Sequence, residues 1–192
     1  MTKNAREYLK TLKNLFDKIV ITDSDGQLYR LEEAIDRSIH MIVNQAATGG
    51  KLLFIGNGAS ASISSHIATD FWKNGGIKAI AFNDSSLITC ISNDYGYKYV
   101  FEKAISMFAD REDILIAISS SGQSENILRA ASTAKKKKLH VITLSGFDED
   151  NPLRKLGDIN FYVPALQYGY VEVVHLSICH CLVDTVIDRK KL

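Results

Sequence analysis

The chain has 192 residues, 46% of them hydrophobic, and a formal net charge of +1. That is enough apolar material to bury the core of one domain, and a charge so near zero excludes any compositional demand for nucleic acid or another polyanion as partner. The three cysteines, Cys90, Cys179 and Cys181, lack the spacing of a zinc or redox motif, which excludes a disulfide framework and points to a cytoplasmic compartment.

Residues 1–6 lead into charged amphipathic sequence rather than the core of a signal peptide, and no apolar stretch is expected to reach the length of a membrane span. Tyr8, Leu9, Leu12, Leu15, Phe16 and Ile19 fall on one helical stripe, and Leu28, Leu31, Ile35, Ile39 and Ile42 fall on another after the turn-forming Asp25-Gly26. Two helices are therefore expected ahead of the first strand. Short apolar runs follow at 52–55, 79–82, 114–118, 140–144 and 159–163, most of them separated by segments of helix length. This is the pattern of a parallel α/β sheet, doubly wound by right-handed crossovers that put helices on both faces. The four lysines at 135–138 sit between a helix and a strand and read as a solvated helix end favoured by the helix dipole. Asn151 caps a short helix begun by Pro152, and Pro164 ends the last strand. With no linker, repeat or low-complexity tract, residues 1–192 read as a single domain, in which 1–48 form a helical pair serving oligomerisation and 49–192 form the α/β core.

Two of the strand ends share a plan. Residues 51–55 run into Gly56-Asn57-Gly58-Ala59-Ser60-Ala61-Ser62, and residues 114–118 run into Ser119-Ser120-Ser121-Gly122-Gln123-Ser124. A strand that stops at small hydroxyl residues and turns at once into a helix offers backbone N–H groups, Ser Oγ donors and a positive helix end to one anion. Neither loop carries the Lys of a Walker loop or a complete G-x-G-x-x-G, so a nucleotide cofactor is not expected, and a smaller phosphorylated molecule is. Taken one at a time, such serines are equally well explained as ordinary helix caps.

Residues 171–187 are apolar nearly all round, as a helix buried by its own sheet and by a second subunit is. Glu172, His175 and His180 interrupt them, and ionisable groups in such a setting must be paired, ligate a metal or have perturbed pKa values. His66 and Asp70, four residues apart, share one helix face. They can serve as a base with its partner, as two metal ligands or as a plain surface pair. His40, near the stripe of the second helix, and His140, at a strand start, read as structural, and His175 reads as packing or as support for its neighbours.

Gly56-Asn57-Gly58-Ala59-Ser60, Asn93-Asp94-Tyr95-Gly96 and Ser119-Ser120-Ser121-Gly122-Gln123-Ser124 resemble the sugar isomerase (SIS) domain, and within it the phosphoheptose isomerases, over nearly the whole chain. The resemblance implies a flavodoxin-like five-stranded parallel sheet with two N-terminal helices, in a homotetramer. It implies that Ser60, Ser119, Ser121 and Ser124 hold the phosphate with the Ser120 backbone. Asn57, Gly58, Asn93 and Asp94, beside Ala59, would meet the sugar. The implied catalytic groups are Asp70 and His180, with Glu172 as an alternative base, and the implied zinc ligands are His66, Asp70, Glu172 and His180, one ion per subunit. The implied reaction is the interconversion of sedoheptulose 7-phosphate and a heptose 7-phosphate through an enediol. A phosphosugar-binding or protein-tethering regulator without catalysis, or an isomerase of a different ketose phosphate, is the alternative.

Departures from the family pattern fall at the reacting end. Asp70 stands for Glu, Glu172 for Gln, Gly169-Tyr170 for an Asp-Arg pair and Ala59 for a second Gly, and the stretch between Phe71 and Lys78 is shorter. The change at 59 is harmless if its φ is negative and strained if it is not. Glu172 adds negative charge, which favours a cation. Glu172 and His180 are eight residues apart, about 12 Å of rise on a regular helix, so one site using both is expected to draw them from different subunits or from a helix that starts irregularly.

Overall fold

The computed structural model describes residues 4–190; the leader reading at residues 1–3 lies outside them. Five parallel strands run from one edge of the sheet inward: β3 (Leu52–Gly56), β4 (Ala79–Ala81), β5 (Ile114–Ser119), β6 (His140–Gly146) and β7 (Ile159–Val163), with β4 at the edge. Their order, β7-β6-β5-β3-β4, has its reversal between β3 and β5, so the carboxyl ends of those two strands flank a topological switch point. Both Gly/Ser loops leave from there.

The sheet also has two strands that periodicity did not predict. β1 (Val20–Thr22) pairs antiparallel with β7 and with β2 (Leu28–Tyr29), which makes seven strands among the described residues. The Asp25-Gly26 turn therefore closes a hairpin instead of preceding a helix: Gly26 has φ +82°, and the Asp23 carboxylate accepts from the N–H groups of Asp25 and Gln27. Leu28, placed on the second helical stripe by sequence, lies in β2 and is 70% exposed. Three- and two-residue strands are too short to establish a period of two, which is why the hairpin is invisible to pattern reading.

Alternation along the strands sorts the core into two layers. Leu52, Phe54, Ile114, Ile116, Ile118, Ile142 and Leu144 face α1 (Ala5–Phe16), α2 (Leu31–Ala47), α3 (Ala59–Lys73) and α7 (Tyr168–Lys190). Leu53, Ile55, Leu115, Ala117 and Val141 face α5 (Val100–Phe108) and α6 (Glu125–Lys136), beside α4 (Ser85–Tyr95). Asp113, 1% exposed at the start of β5, accepts from the backbone N–H and the Nζ of Lys51, at 2.9 and 2.6 Å, and so ties the amino ends of β3 and β5 together.

One sequence expectation is corrected by α7. Residues Tyr168–Arg189 are long and apolar enough to cross a membrane by length and composition, although no such stretch was expected. Half of its most apolar 18 residues are buried inside the fold, with Val171, Val174, Ile178, Leu182, Val183 and Val186 in the core, so its apolarity answers to the sheet it covers. The 3₁₀ turn Pro152–Lys155 begins as expected, the Asn151 side chain accepting from the Arg154 N–H, and β7 stops one residue before Pro164.

Candidate active site

The two Gly/Ser loops close on one cavity of about 120 Å³. Ser60 reaches it from the first turn of α3, and Ser119, Ser120, Ser121 and Ser124 from the end of β5 and the start of α6. Ser124 is the N-cap residue of α6, but its Oγ makes no capping bond; it accepts instead from the Ser119 hydroxyl at 3.4 Å. The N-cap of α3, Gly58, has no side chain to offer, and its φ of +56° is one that glycine tolerates. At both helix N-termini no N-cap side chain competes for the backbone donors, of which those of Ser60, Ala61 and Ile127 already bond to Asn57 O, Gly58 O and Ser124 O. Ala59 is an ordinary first helical residue with negative φ, so its replacement of Gly introduces no strain.

The second loop is braced from behind. Gly122 (φ +64°) approaches Asn151 so closely that a Cβ there would lie 2.0 Å from Asn151 Oδ1. The Asn151 Nδ2 donates to Asp148 O at 2.7 Å and lies 3.2 Å from Ser145 Oγ, while Gly122 O accepts from the Leu153 N–H.

α7 supplies the opposite wall, with Tyr168 and Glu172. Its approach to the sheet is permitted by Gly146, where a Cβ would meet both methyls of Val171 at 2.8 Å. His175, one turn beyond Glu172, is fully buried, and its Nε2–H donates to Ser145 O at 3.0 Å. Burial pushes the imidazole down to about 4, outweighing the opposing effect of that hydrogen bond. It is a neutral donor that seats α7 on β6.

A second group of ionisable residues lies farther along the same two helices. The carboxylate of Asp70 has one oxygen 3.4 Å from His66 Nε2 and 3.9 Å from His180 Nδ1, and the two imidazoles meet edge-on at 5.4 Å. One ligand atom from each of the three lies within 4.8 Å of the others. The second carboxylate oxygen of Asp70 lies 3.3 Å from Asn74 Nδ2, which leaves the first free for the histidines or for an ion. Two imidazoles, one carboxylate and an open side suit the three-ligand arrangement of catalytic zinc.

Among the sequence-selected residues, Asn57, Ser60, Ser119, Ser120, Ser121, Ser124 and Glu172 come together at the cavity, and His66, Asp70 and His180 come together at the cluster. Glu172 does not join the cluster within one chain, because eight residues of α7, about 12 Å of rise, separate it from His180. Gly58 and Ala59 form the rim at the start of α3, exposed. Asn93 and Asp94, in the last turn of α4, bond to each other at 2.9 Å and do not line the cavity. Sequence reading missed Tyr168 at the cavity, Asn74 behind Asp70, and Asn126 and Tyr97, which hold Asn57. Only Asn126 left a trace, as a polar residue beside the apolar stripe of Ile127, Ala130, Ala131 and Ala134.

The family model of the SIS domain matches residues 7–146. The phosphoheptose isomerase of Helicobacter pylori (strain ATCC 700392 / 26695) is 34% identical over 184 residues, 91% of this chain and 95% of that protein. That of Proteus mirabilis (strain HI4320) is 35% identical over 162 residues, 80% of this chain and 83% of its own length. Among solved structures, a phosphoheptose isomerase from Francisella tularensis superposes with a TM-score of 0.84 at 30% identity, covering 98% of this chain and 100% of that one.

Proposed function

This chain belongs to the SIS domain family, with the phosphoheptose isomerases, and from that premise we propose that it interconverts sedoheptulose 7-phosphate and D-glycero-D-manno-heptose 7-phosphate through an enediol, in the cytoplasm. That it is a sugar-phosphate isomerase follows from its relatives. The observation that carries the finer reading is the serine cavity, which gathers hydroxyls from two β-α junctions beside two helix N-termini and has no lysine or arginine in its lining. Such a site grips a phosphate ester through hydroxyl and backbone donors and fixes the distance from the ester to the reacting carbons.

The reaction needs a base at the carbon beside the carbonyl and a group that gives and recovers the oxygen proton. Asp70 is the base in this reading. His180 is the partner for the oxygen, an imidazole being able both to give and to recover a proton. As the alternative arrangement, His66, Asp70 and His180, with Glu172 as a fourth donor, would hold one zinc ion, which would polarise the substrate carbonyl instead and leave the carboxylates as ligands. The departure of Glu172 from the family's Gln strengthens the negative side of such a set.

The cavity and the cluster are separated along α3 as well as along α7: Ser60 and Asp70 are ten residues apart, about 15 Å of helix. A homo-oligomer, in this reading a tetramer, resolves the separation by bringing the cavity of one subunit to the cluster of another. Val173 on α7, 40% exposed and seven residues before His180, continues the cluster's face of that helix as apolar surface for such a contact.

Two experiments test the proposal. Sedoheptulose 7-phosphate incubated with the protein in deuterated water should acquire deuterium at the carbon beside the carbonyl, followed by NMR; binding without exchange would favour a phosphosugar-sensing role instead. Mixing Ser124→Ala and His180→Ala, at a substrate concentration low enough that neither turns over alone, and allowing subunits to exchange should restore roughly one quarter of wild-type activity, as random pairing across a shared site predicts. No recovery despite demonstrated exchange would place cavity and cluster function within one subunit and sink the shared-site reading.

A further inference from the structure

The side chain of Asn57 is held by two residues that make no part of the cavity wall. Its Oδ1 accepts from Tyr97 Oη at 2.7 Å and from Asn126 Nδ2 at 3.0 Å, and its own Nδ2 donates to Asn126 Oδ1 at 3.0 Å. These contacts reach across 40 and 69 residues of sequence, from the 3₁₀ turn Tyr97–Tyr99 and the first turn of α6. Asn126 is 3% exposed, so its bonds are made in a water-poor setting where leaving either side unmade is costly.

The direction of the Asn57 amide follows from satisfaction. An Asn pair that exchanges two bonds could in principle be reversed, with both oxygens and nitrogens swapped. Asn126 Oδ1, however, also accepts from the Ile127 N–H at 3.0 Å, and that backbone group can only donate. This pins Asn126, and Asn126 pins Asn57. Both lone-pair directions of Asn57 Oδ1 are then occupied, and one of the two N–H groups on its Nδ2 is used. What remains to the side chain, at the position where it lines the cavity, is a single N–H donor.

We infer that Asn126 and Tyr97 are positioning residues that lock the Asn57 carboxamide with its carbonyl turned to the protein, so that the site meets an acceptor oxygen of the bound phosphosugar at this point and rejects a ligand that presents only a donor. The inference rests on the phosphosugar reading for the ligand, and on hydrogen-bond geometry alone for the lock. It also assigns Tyr97 a purpose: the residue joins the connection that carries Asn93 and Asp94 to the first Gly/Ser loop.

The test uses the full-length protein and three substitutions. Tyr97→Phe removes one bond of the lock and should raise KM for the ketose phosphate by about three- to tenfold, the worth of one neutral hydrogen bond, with kcat changed by less than about twofold. Asn126→Asp replaces the amide donor to Asn57 Oδ1 with an acceptor and should raise KM further. Asn57→Asp keeps the shape but removes the donor, and should raise KM by more than about thirtyfold. In ¹⁵N-labelled protein the Asn57 side-chain amide should give two resolved, slowly exchanging proton signals that collapse toward solvent-averaged values in Tyr97→Phe. Unchanged KM in Tyr97→Phe and Asn126→Asp, or an Asn57 amide already averaged in the wild type, overturns the lock. If no ketose phosphate is turned over, the isomerase reading falls by itself, and the lock is then judged by the amide signals and by whether inorganic phosphate shifts the free Asn57 N–H.

Discussion

Acidification should weaken this fold through one side chain. His175 is fully buried, with its Nε2–H committed to Ser145 O, and its pKa is pushed from 6.5 to about 4 by loss of water. In the unfolded chain the same imidazole titrates at the ordinary value, so between pH 6.5 and pH 4 the unfolded state binds the proton and the folded state does not. Stability is therefore complete above pH 6.5 and declines as pH falls toward 4. The gap amounts to about 3 kcal/mol, at roughly 1.4 kcal/mol for each pH unit of separation. Urea unfolding followed by circular dichroism from pH 4 to 7.5, at fixed protein concentration, reads it directly. His175→Gln retains an N–H donor for Ser145 O but does not titrate, so its curve should lack about 3 kcal/mol of the wild-type loss. Parallel curves for the two proteins would refute the reasoning, since the wild-type slope would then belong to other groups.

Four further outcomes follow from the site. Gly122→Ala sets a methyl against Asn151 at a φ of +64°, and should cost about 1–3 kcal/mol by thermal unfolding while weakening phosphate binding through the displaced loop. Ser124→Ala removes a hydroxyl donor from the cavity and should weaken inorganic phosphate binding by about tenfold or more in ³¹P NMR titrations. Asp70→Asn, which leaves the contact to Asn74 sterically intact, should lower kcat by about 10²- to 10⁴-fold with the melting temperature little changed. His66→Ala should lower the zinc bound after dialysis from about one equivalent per chain toward none, measured by mass spectrometry of the metal.

The parts of the site that sequence made legible are those built from consecutive residues. Ser119 to Ser124 stand out because hydroxyl residues at a strand end face the carboxyl edge of the sheet, where the cavity lies, and His66 with Asp70 are paired by the helix repeat alone. His180 was legible as a charge on an apolar helix, but its meeting with Asp70 depends on how α3 and α7 pack, which no local pattern encodes. Glu172 shows the same limit from the other side: it shares α7 with His180, yet packing delivers it to the serine cavity. Asn126 is the clearest loss. Its partner is 69 residues away, and a buried Asn in the first turn of a helix reads locally as nothing more than a cap. The hairpin of β1 and β2 was lost because its strands are too short to alternate.

That hairpin makes the first strand of the chain the last to find its seat. β1 lies against β7, and the Asn160 amide donates to Thr22 O across 138 residues; Tyr8 likewise stacks on Tyr170 at 4.5 Å. Until β7 is made, β1 can pair only with β2, so its seating against β7 is a step of high contact order that follows synthesis of the strands between them.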